Sequence, residues 1–319
     1  MTASDSPPRV VFAGAPDFAV PSLRTLLEGP ETVVGVLTQP DRPAGRGRKL
    51  RPTPVRAAAE EAGVPVACPG SLKDEQERAV LTDWAPDVLV VAAYGLILPA
   101  AVLELPPLGC INVHASLLPA YRGAAPIQRA IVDGVERTGI TIMRMTTGLD
   151  RGPILLQRER PIGPRETGGD VHDALADLGA TALREALDAL VGDGLTERPQ
   201  PEAGASYAPP IDKSEAELDW TRPAEALDRQ VRAFNPWPVA YTFADGERLR
   251  VWQAWPEVAS ADATPGTVLK GAEPSVACGE GQLILAEVQP PGRQRMTGAE
   301  ALRGGYLVPG QLLGTPPAE

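Results

Sequence analysis

The stretch VLVVAAYGLILPAAVL, Val88 to Leu103, carries no charge between Asp87 and Glu104, and how it is read decides the fold. A membrane span needs about 20 apolar residues. This run is shorter, and Gly95 and Pro99 interrupt it. It therefore predicts a strand buried on both faces and then a turn, the pattern of a parallel sheet covered by helices.

The neighbouring sequence agrees. Short β-branched runs recur at 9–14 (RVVFAG), 32–39 (TVVGVLTQ), 64–68 (VPVAC), 87–94 (DVLVVAAY), 110–114 (CINVH) and 139–145 (GITIMRM). Between them lie FAVPSLRTLLEG, PVRAAAEEAG, KDEQERAVLTDWA and APIQRAIVDG, with apolar residues at helical spacing. The alternation predicts an α/β domain, a Rossmann-like, mostly parallel sheet with helices on both faces. A helical pattern over about 170–190 closes this half, and the proline-rich RPQPEAGASYAPP (198–210) reads as an extended linker. Beyond it, short runs such as VAYTF, RLRVWQAW and LILAEVQP alternate with Gly, Pro and Asp-Gly turns. They predict a smaller β-barrel, an oligonucleotide-binding type being one candidate. The expected domains are 1–206 and 207–319, in keeping with 319 residues exceeding one ordinary core.

Hydrophobic residues make up 43% and charged residues 22% of the chain, which predicts a folded, water-soluble protein. The first residues, MTASDSPPRVVFAG, show no secretory pattern, and Cys68, Cys110 and Cys278 have no ligand spacing. They read as reduced cytosolic thiols, and the expected compartment is the bacterial cytosol. The net charge of −11 argues against a general nucleic-acid coat. Against that background, TQPDRPAGRGRKLRPTPVR (38–56) gathers Arg42, Arg46, Arg48, Lys49, Arg51 and Arg56 around the single carboxylate Asp41. It reads as an irregular loop, either a solvated charge run or a place where a polyanion docks.

Three polar residues could do chemistry. Asn112 and His114 stand at i and i+2 near a strand end, so their side chains share a face. Asp150 follows the next strand and can reach the imidazole if the two strands are neighbours. A carboxylate beside histidine fixes its tautomer, and an asparagine amide can donate to an oxyanion. The trio suits acyl transfer without a protein nucleophile, though the same residues could merely tie loops. A Ser116–His114–Asp150 hydrolase triad is disfavoured because no nucleophile elbow surrounds Ser116. A metal site is disfavoured because His172, the other of two histidines, sits among charged helical residues. FAGAPDFAVPSL (12–23) lacks the glycines of a dinucleotide cradle, and Phe234 and Trp237 in RAFNPWPVAY (232–241) read as packing.

The motifs FAGAPDFA, TQPDRPAGRGRKL, VVAAYGLILP, GCINVHASLLPAYRGAAPIQ, TGITIMRMTTGLDRG and AFNPWPVAY together resemble the methionyl-tRNA formyltransferase family. The N-x-H, SLLP, RG and GLD-x-G set is shared with other enzymes that use 10-formyltetrahydrofolate, such as glycinamide ribonucleotide formyltransferase. The basic loop and the NPWP-led second domain point to the tRNA enzyme. The resemblance implies formyl transfer from 10-formyltetrahydrofolate to charged initiator tRNA, with Asn112, His114 and Asp150 catalytic. It implies a folate site at Ser116, Leu117, Leu118 and Pro119, with backbone contacts to the pterin from Leu96, Ile97 and Leu98. Arg42, Arg46, Arg48 and Lys49 would meet the tRNA. No metal, membrane or obligate protein partner is expected. Ala115 and the pair Ala120 and Tyr121 depart from the glycine and Arg-Trp residues of the family, which bears on the folate pocket.

Overall fold

The structure is a computed structural model that describes residues 6–44, 49–192, 195–259 and 262–314. It contains two compact units: residues 1–126, 137–161 and 172–208 form one, and 127–136, 162–171 and 209–319 form the other.

The strands of the first unit are β1 (Arg9–Gly14), β2 (Thr32–Leu37), β3 (Arg42–Ala44), β4 (Lys49–Arg51), β5 (Val66–Ala67), β6 (Val88–Ala92), β7 (Cys110–His114), β8 (Arg122–Gly123), β9 (Arg137–Arg144), β10 (Ile154–Pro161) and β11 (Tyr207–Ala208). Seven form one sheet in the order β10-β9-β7-β6-β1-β2-β5. The stretch Val88–Leu103 is the buried strand β6, a turn, and the short helix Ala100–Leu103. Every residue of β6 is buried. Val11, Ala13, Leu89 and Val91 pack with Leu81 and Val102, while the alternate Val10, Phe12, Val88 and Val90 are buried as well. Alternation along a strand separates these two sets onto opposite faces, so both faces are covered. Burial of each Val or Leu side chain contributes roughly 1.5–3 kcal/mol.

Strands β1, β2, β5, β6 and β7 run parallel. The chain builds one side of β1 first and then crosses to β6, so the strand order reverses between β1 and β6, whose carboxyl ends are Gly14 and Ala92. Open sheets of this kind bind ligands outside such a point.

Three features depart from the sequence expectations. Strand β9 runs antiparallel to β7, and β10, which the alternation did not reveal, runs antiparallel to β9. The basic segment is not an irregular loop: β3 and β4 pair in a ribbon, Arg42 opposite Arg51 and Ala44 opposite Lys49. The proline-rich segment is extended, yet it is bonded rather than free: Arg198 bridges Ile154, and β11 pairs in parallel with β8.

The second unit is built on an antiparallel sheet of β12 (Tyr241–Ala244), β13 (Glu247–Glu257), β14 (Ser275–Ala277), β15 (Gln282–Gln289) and β16 (Met296–Thr297). Register shifts between Val251 and Ala254 curl β13 over β15 and make the sheet a half-barrel. Helix α1 (Ala224–Ala233) lays Leu227 and Val231 on its core with Val251, Leu283, Leu285 and Val288. Phe234 is buried as expected, but Trp237 is 53% exposed and is not core packing.

Candidate active site

Strand β7 carries Asn112 and His114 one alternation apart, flanked by the buried Val113. The face they share is therefore set by the backbone. Among the described residues the Asn112 amide has no hydrogen-bond partner. His114 is 6% exposed, and its Nε2 lies 2.9 Å from the Tyr121 carbonyl oxygen. A carbonyl only accepts, so Nε2 carries a proton and donates. Nδ1 is left facing the Asp150 carboxylate, whose Oδ2 stands 3.8 Å away, an ion-pair rather than a hydrogen-bond distance.

Asp150 does not reach His114 from a parallel strand end. Because Ile111 pairs with Arg144 and His114 with Thr141, the end of β9 lies beside the start of β7. The loop after Arg144 must double back along the sheet to bring the carboxylate to the imidazole. It does so through a left-handed Asp150, φ 49°, followed by Gly152 against the Arg144 carbonyl. The Asp150 Oδ2 accepts from the Gly123 backbone N–H at 2.8 Å. Gly123 sits at φ 119°, and a Cβ there would stand 2.7 Å from both the Ala208 carbonyl oxygen and the Tyr207 ring, so the position takes only glycine.

One residue that sequence reasoning missed ties this loop down. Gln200 Nε2 donates to the carbonyl oxygens of Asp150 and Gly152, both at 2.8 Å. Its Oε1 accepts from Nε and Nη2 of the buried Arg122, at 3.0 and 2.9 Å. Ser206, on the same segment, accepts from the Tyr121 N–H at 2.9 Å through its hydroxyl. A glutamine in a proline-rich stretch has no periodicity to betray it; nothing in the local pattern separates it from linker.

The remaining residues divide. Ser116 is fully buried, donates to the Ala120 carbonyl at 2.6 Å and offers its own carbonyl to Thr141. Its hydroxyl frames the loop instead of pointing outward, as does the buried Leu118, packed with Met143 and Ile154. Leu117 and Pro119 are partly exposed. Leu96, Ile97 and Leu98 follow β6 at the carboxyl edge of the sheet; Ile97 is 73% exposed and Leu98 buried. The backbones of Arg42 and Lys49 lie in the ribbon, and Arg46 and Arg48 fall outside the described residues. A cleft of about 440 Å³ opens beside Asp150, with Arg122, Leu149, Arg151, Ser206 and Tyr207 among its walls.

Burial raises the Cys110 thiol to about 12 and the Cys278 thiol to about 11, which keeps both protonated and poor nucleophiles at neutral pH. Among the described residues no three Asp, Glu, His or Cys side chains gather as metal ligands, and no helix is long and apolar enough to cross a membrane.

On the second unit, cations gather on aromatics. Arg248 lies over Tyr241 at 4.0 Å, and Arg295 over Trp252 at 3.2 Å. Arg250 pairs across the sheet with both Tyr241 and Gln289, and Gln289 accepts from the Trp252 indole N–H while donating to the Arg293 carbonyl. None of these four arginines has a carboxylate partner among the described residues.

The sequence profile of the Formyl transferase family matches residues 9–187, and that of the Formyl transferase C-terminal domain matches 210–305. The methionyl-tRNA formyltransferase of Chromohalobacter salexigens is 54% identical over 315 residues, 96% of this chain and 97% of its own. That of Methylococcus capsulatus is 51% identical over 308 residues, 96% of this chain and 100% of its own. Among solved structures, HypX from Aquifex aeolicus in complex with tetrahydrofolic acid shares the fold, with a TM-score of 0.61 at 17% identity over 93% of this chain. This chain spans about half of HypX, 47% of its length. With two matched domains and full-length relatives at about half identity, this chain belongs to the methionyl-tRNA formyltransferase family.

Proposed function

We propose that Asn112, His114 and Asp150 carry the formyl transfer of this family, from 10-formyltetrahydrofolate to the α-amino group of methionine on charged initiator tRNA. The observation that supports it most is the Asn112 amide, without a hydrogen-bond partner among the described residues, sharing a strand face with His114, whose Nδ1 stands 3.8 Å from Asp150 Oδ2.

Model α-amines have pKa values near ~8, so the neutral amine is accessible near pH 7. It attacks the formyl carbon, and the carbonyl oxygen becomes an oxyanion. Asn112 Nδ2 donates to that oxygen, and so does protonated His114 through its Nδ1–H, since its Nε2–H is taken up by the Tyr121 carbonyl. The new N–C bond leaves the amine nitrogen positive. Asp150 orients the imidazole and relays that proton, and the C–N10 bond of the folate breaks as N10 gains a proton. The products are formylmethionyl-tRNA and tetrahydrofolate.

The folate lies along the carboxyl edge of the sheet, with the backbone of Leu96–Leu98 at the pterin and the Ser116–Pro119 loop as a wall. Ser116 and Leu118 shape this wall from behind. Arg42 and Lys49 of the β3–β4 ribbon, together with Arg46 and Arg48 of the same basic segment, meet the acceptor end. Arg248, Arg250, Arg293 and Arg295, without carboxylate partners among the described residues, add a second RNA contact, since guanidinium groups, three of them here lying over aromatic rings, suit phosphates and bases. The working compartment is the bacterial cytosol, and no obligate protein partner is invoked.

The test is formyl transfer to charged initiator tRNA or to small amines. Asn112→Ala and His114→Ala should each lower kcat by about 10²–10³-fold, the usual loss of one oxyanion donor. Their KM for folate should change little. Near-normal turnover in either variant would sink the assignment, and formylation of small amines alone would move the substrate away from tRNA.

A further inference from the structure

The geometry points to Gln200 as a positioning residue: its amide holds the Asp150 loop in the one conformation that turns the carboxylate toward His114. The inference rests on the proposed roles of Asp150 and His114.

Asp150 occupies a left-handed backbone conformation, φ 49°. A residue with a Cβ is disfavoured there, so surrounding bonds must hold it. Its carboxylate is engaged with the Gly123 N–H and faces His114, so the restraint has to act on the backbone. Gln200 supplies it, one N–H₂ group spanning the carbonyls on either side of Arg151. The amide orientation is fixed independently from both ends. Carbonyl oxygens accept only from the NH₂, and the Arg122 guanidinium donates only to the oxygen. Arg122 is 7% exposed and is held in turn by its own backbone N–H on the Ser206 carbonyl at 2.9 Å. Gln200 is therefore anchored before it grips the loop.

The other half of the pair is tethered by the same segment. Tyr121, whose carbonyl receives the His114 Nε2–H, has its N–H on the Ser206 hydroxyl. Arg198–Ala208 thus sets both sides of the 3.8 Å gap between imidazole and carboxylate.

The chain has only two histidines, so imidazole ¹⁵N spectra report His114 directly, with His172 as an internal control. Labelled wild type, Gln200→Ala, Gln200→Glu and Asp150→Asn are compared, with kcat and both KM values. Gln200→Ala is expected to lower kcat about 10- to 100-fold and leave KM for folate and charged tRNA within about twofold, a loss of the kind caused by slight misplacement of a reacting group. Its His114 signals should move in the direction seen in Asp150→Asn while His172 stays put. Gln200→Glu separates the two ends of the side chain. It keeps the acceptor for Arg122 and loses the donors to Asp150 and Gly152, so it should be as slow as Gln200→Ala.

If Gln200→Glu keeps wild-type kcat, the glutamine serves Arg122 and the inference is wrong. It is equally wrong if Gln200→Ala leaves kcat or the His114 signals unchanged while Asp150→Asn alters them. If Asp150→Asn itself leaves kcat unchanged, the catalytic assignment falls instead. Should Gln200→Ala melt early, Gln200→Asn, which keeps the amide on a shorter stem, is read in its place and must show the same kcat loss.

Discussion

At the scale of single residues, Glu215 shows how a pair of side chains sets a pH response. Arg129 approaches it with two N–H donors, at 2.5 and 2.9 Å, and this hydrogen bonding holds the Glu215 carboxyl below its ordinary value. A lowered carboxyl stabilises the folded chain in full above its unfolded value, near ~4.3, and loses that contribution as pH falls through the folded value. Glu215→Gln should therefore lower the melting temperature at neutral pH, with the gap from wild type closing below about pH 4. A gap that persists unchanged into acid would remove the ion pair as its cause. Residues differ in how far their sequence announces them. Asn112 and His114 could be found because strand alternation places i and i+2 on one face whatever the tertiary context. Gln200 could not, because its partners are 50 and 78 residues away in sequence and its own neighbours are prolines.

At the scale of elements, the loop between β9 and β10 is the most constrained piece of the site. A Cβ at Gly152 would stand 1.7 Å from the Arg144 carbonyl oxygen, so Gly152→Ala must push the two strands of loop apart just where Asp150 turns. The expected result is a loss of about 1–3 kcal/mol in unfolding free energy together with at least a tenfold fall in kcat. Denaturant unfolding and single-turnover transfer measure the two effects separately; an active, stable Gly152→Ala protein would refute this account of the loop. The strands β1 and β7 were legible to the residue, since continuous apolar runs with turn signals mark buried strands. The direction of β9 was not. A helical segment between β7 and β9 looks like a crossover to a parallel strand, and nothing in GITIMRM distinguishes one direction from the other. β10 was missed because ILLQRERP, at the sheet edge, mixes apolar and charged residues.

At the scale of the whole molecule, net charge and local charge disagree, and that disagreement is measurable. The chain carries −11 overall, yet Arg248, Arg250, Arg293 and Arg295 stand without carboxylate partners among the described residues. Each phosphate contact they make should add about 0.7–0.9 to the slope of log affinity against log salt. Alanine at Arg248 and Arg295 together should flatten that slope for charged tRNA and raise its KM, with folate KM unchanged; an unaltered slope would rule the cluster out as an RNA contact. The change of character near residue 198 was visible in composition, because prolines and turn pairs replaced helical spacing. That 127–136 and 162–171 cluster with the second unit was not, since neither segment differs in composition from its surroundings. The hydrogen bonds of Arg198–Ala208 also bear on where this chain can be cut. A fragment ending with the first profile match, at residue 187, keeps Asn112, His114 and Asp150 and discards Gln200 and Ser206. The shortest piece that retains the geometry around the imidazole must run through Ala208, so the boundary useful to a protein engineer lies some twenty residues past the one that sequence matching draws.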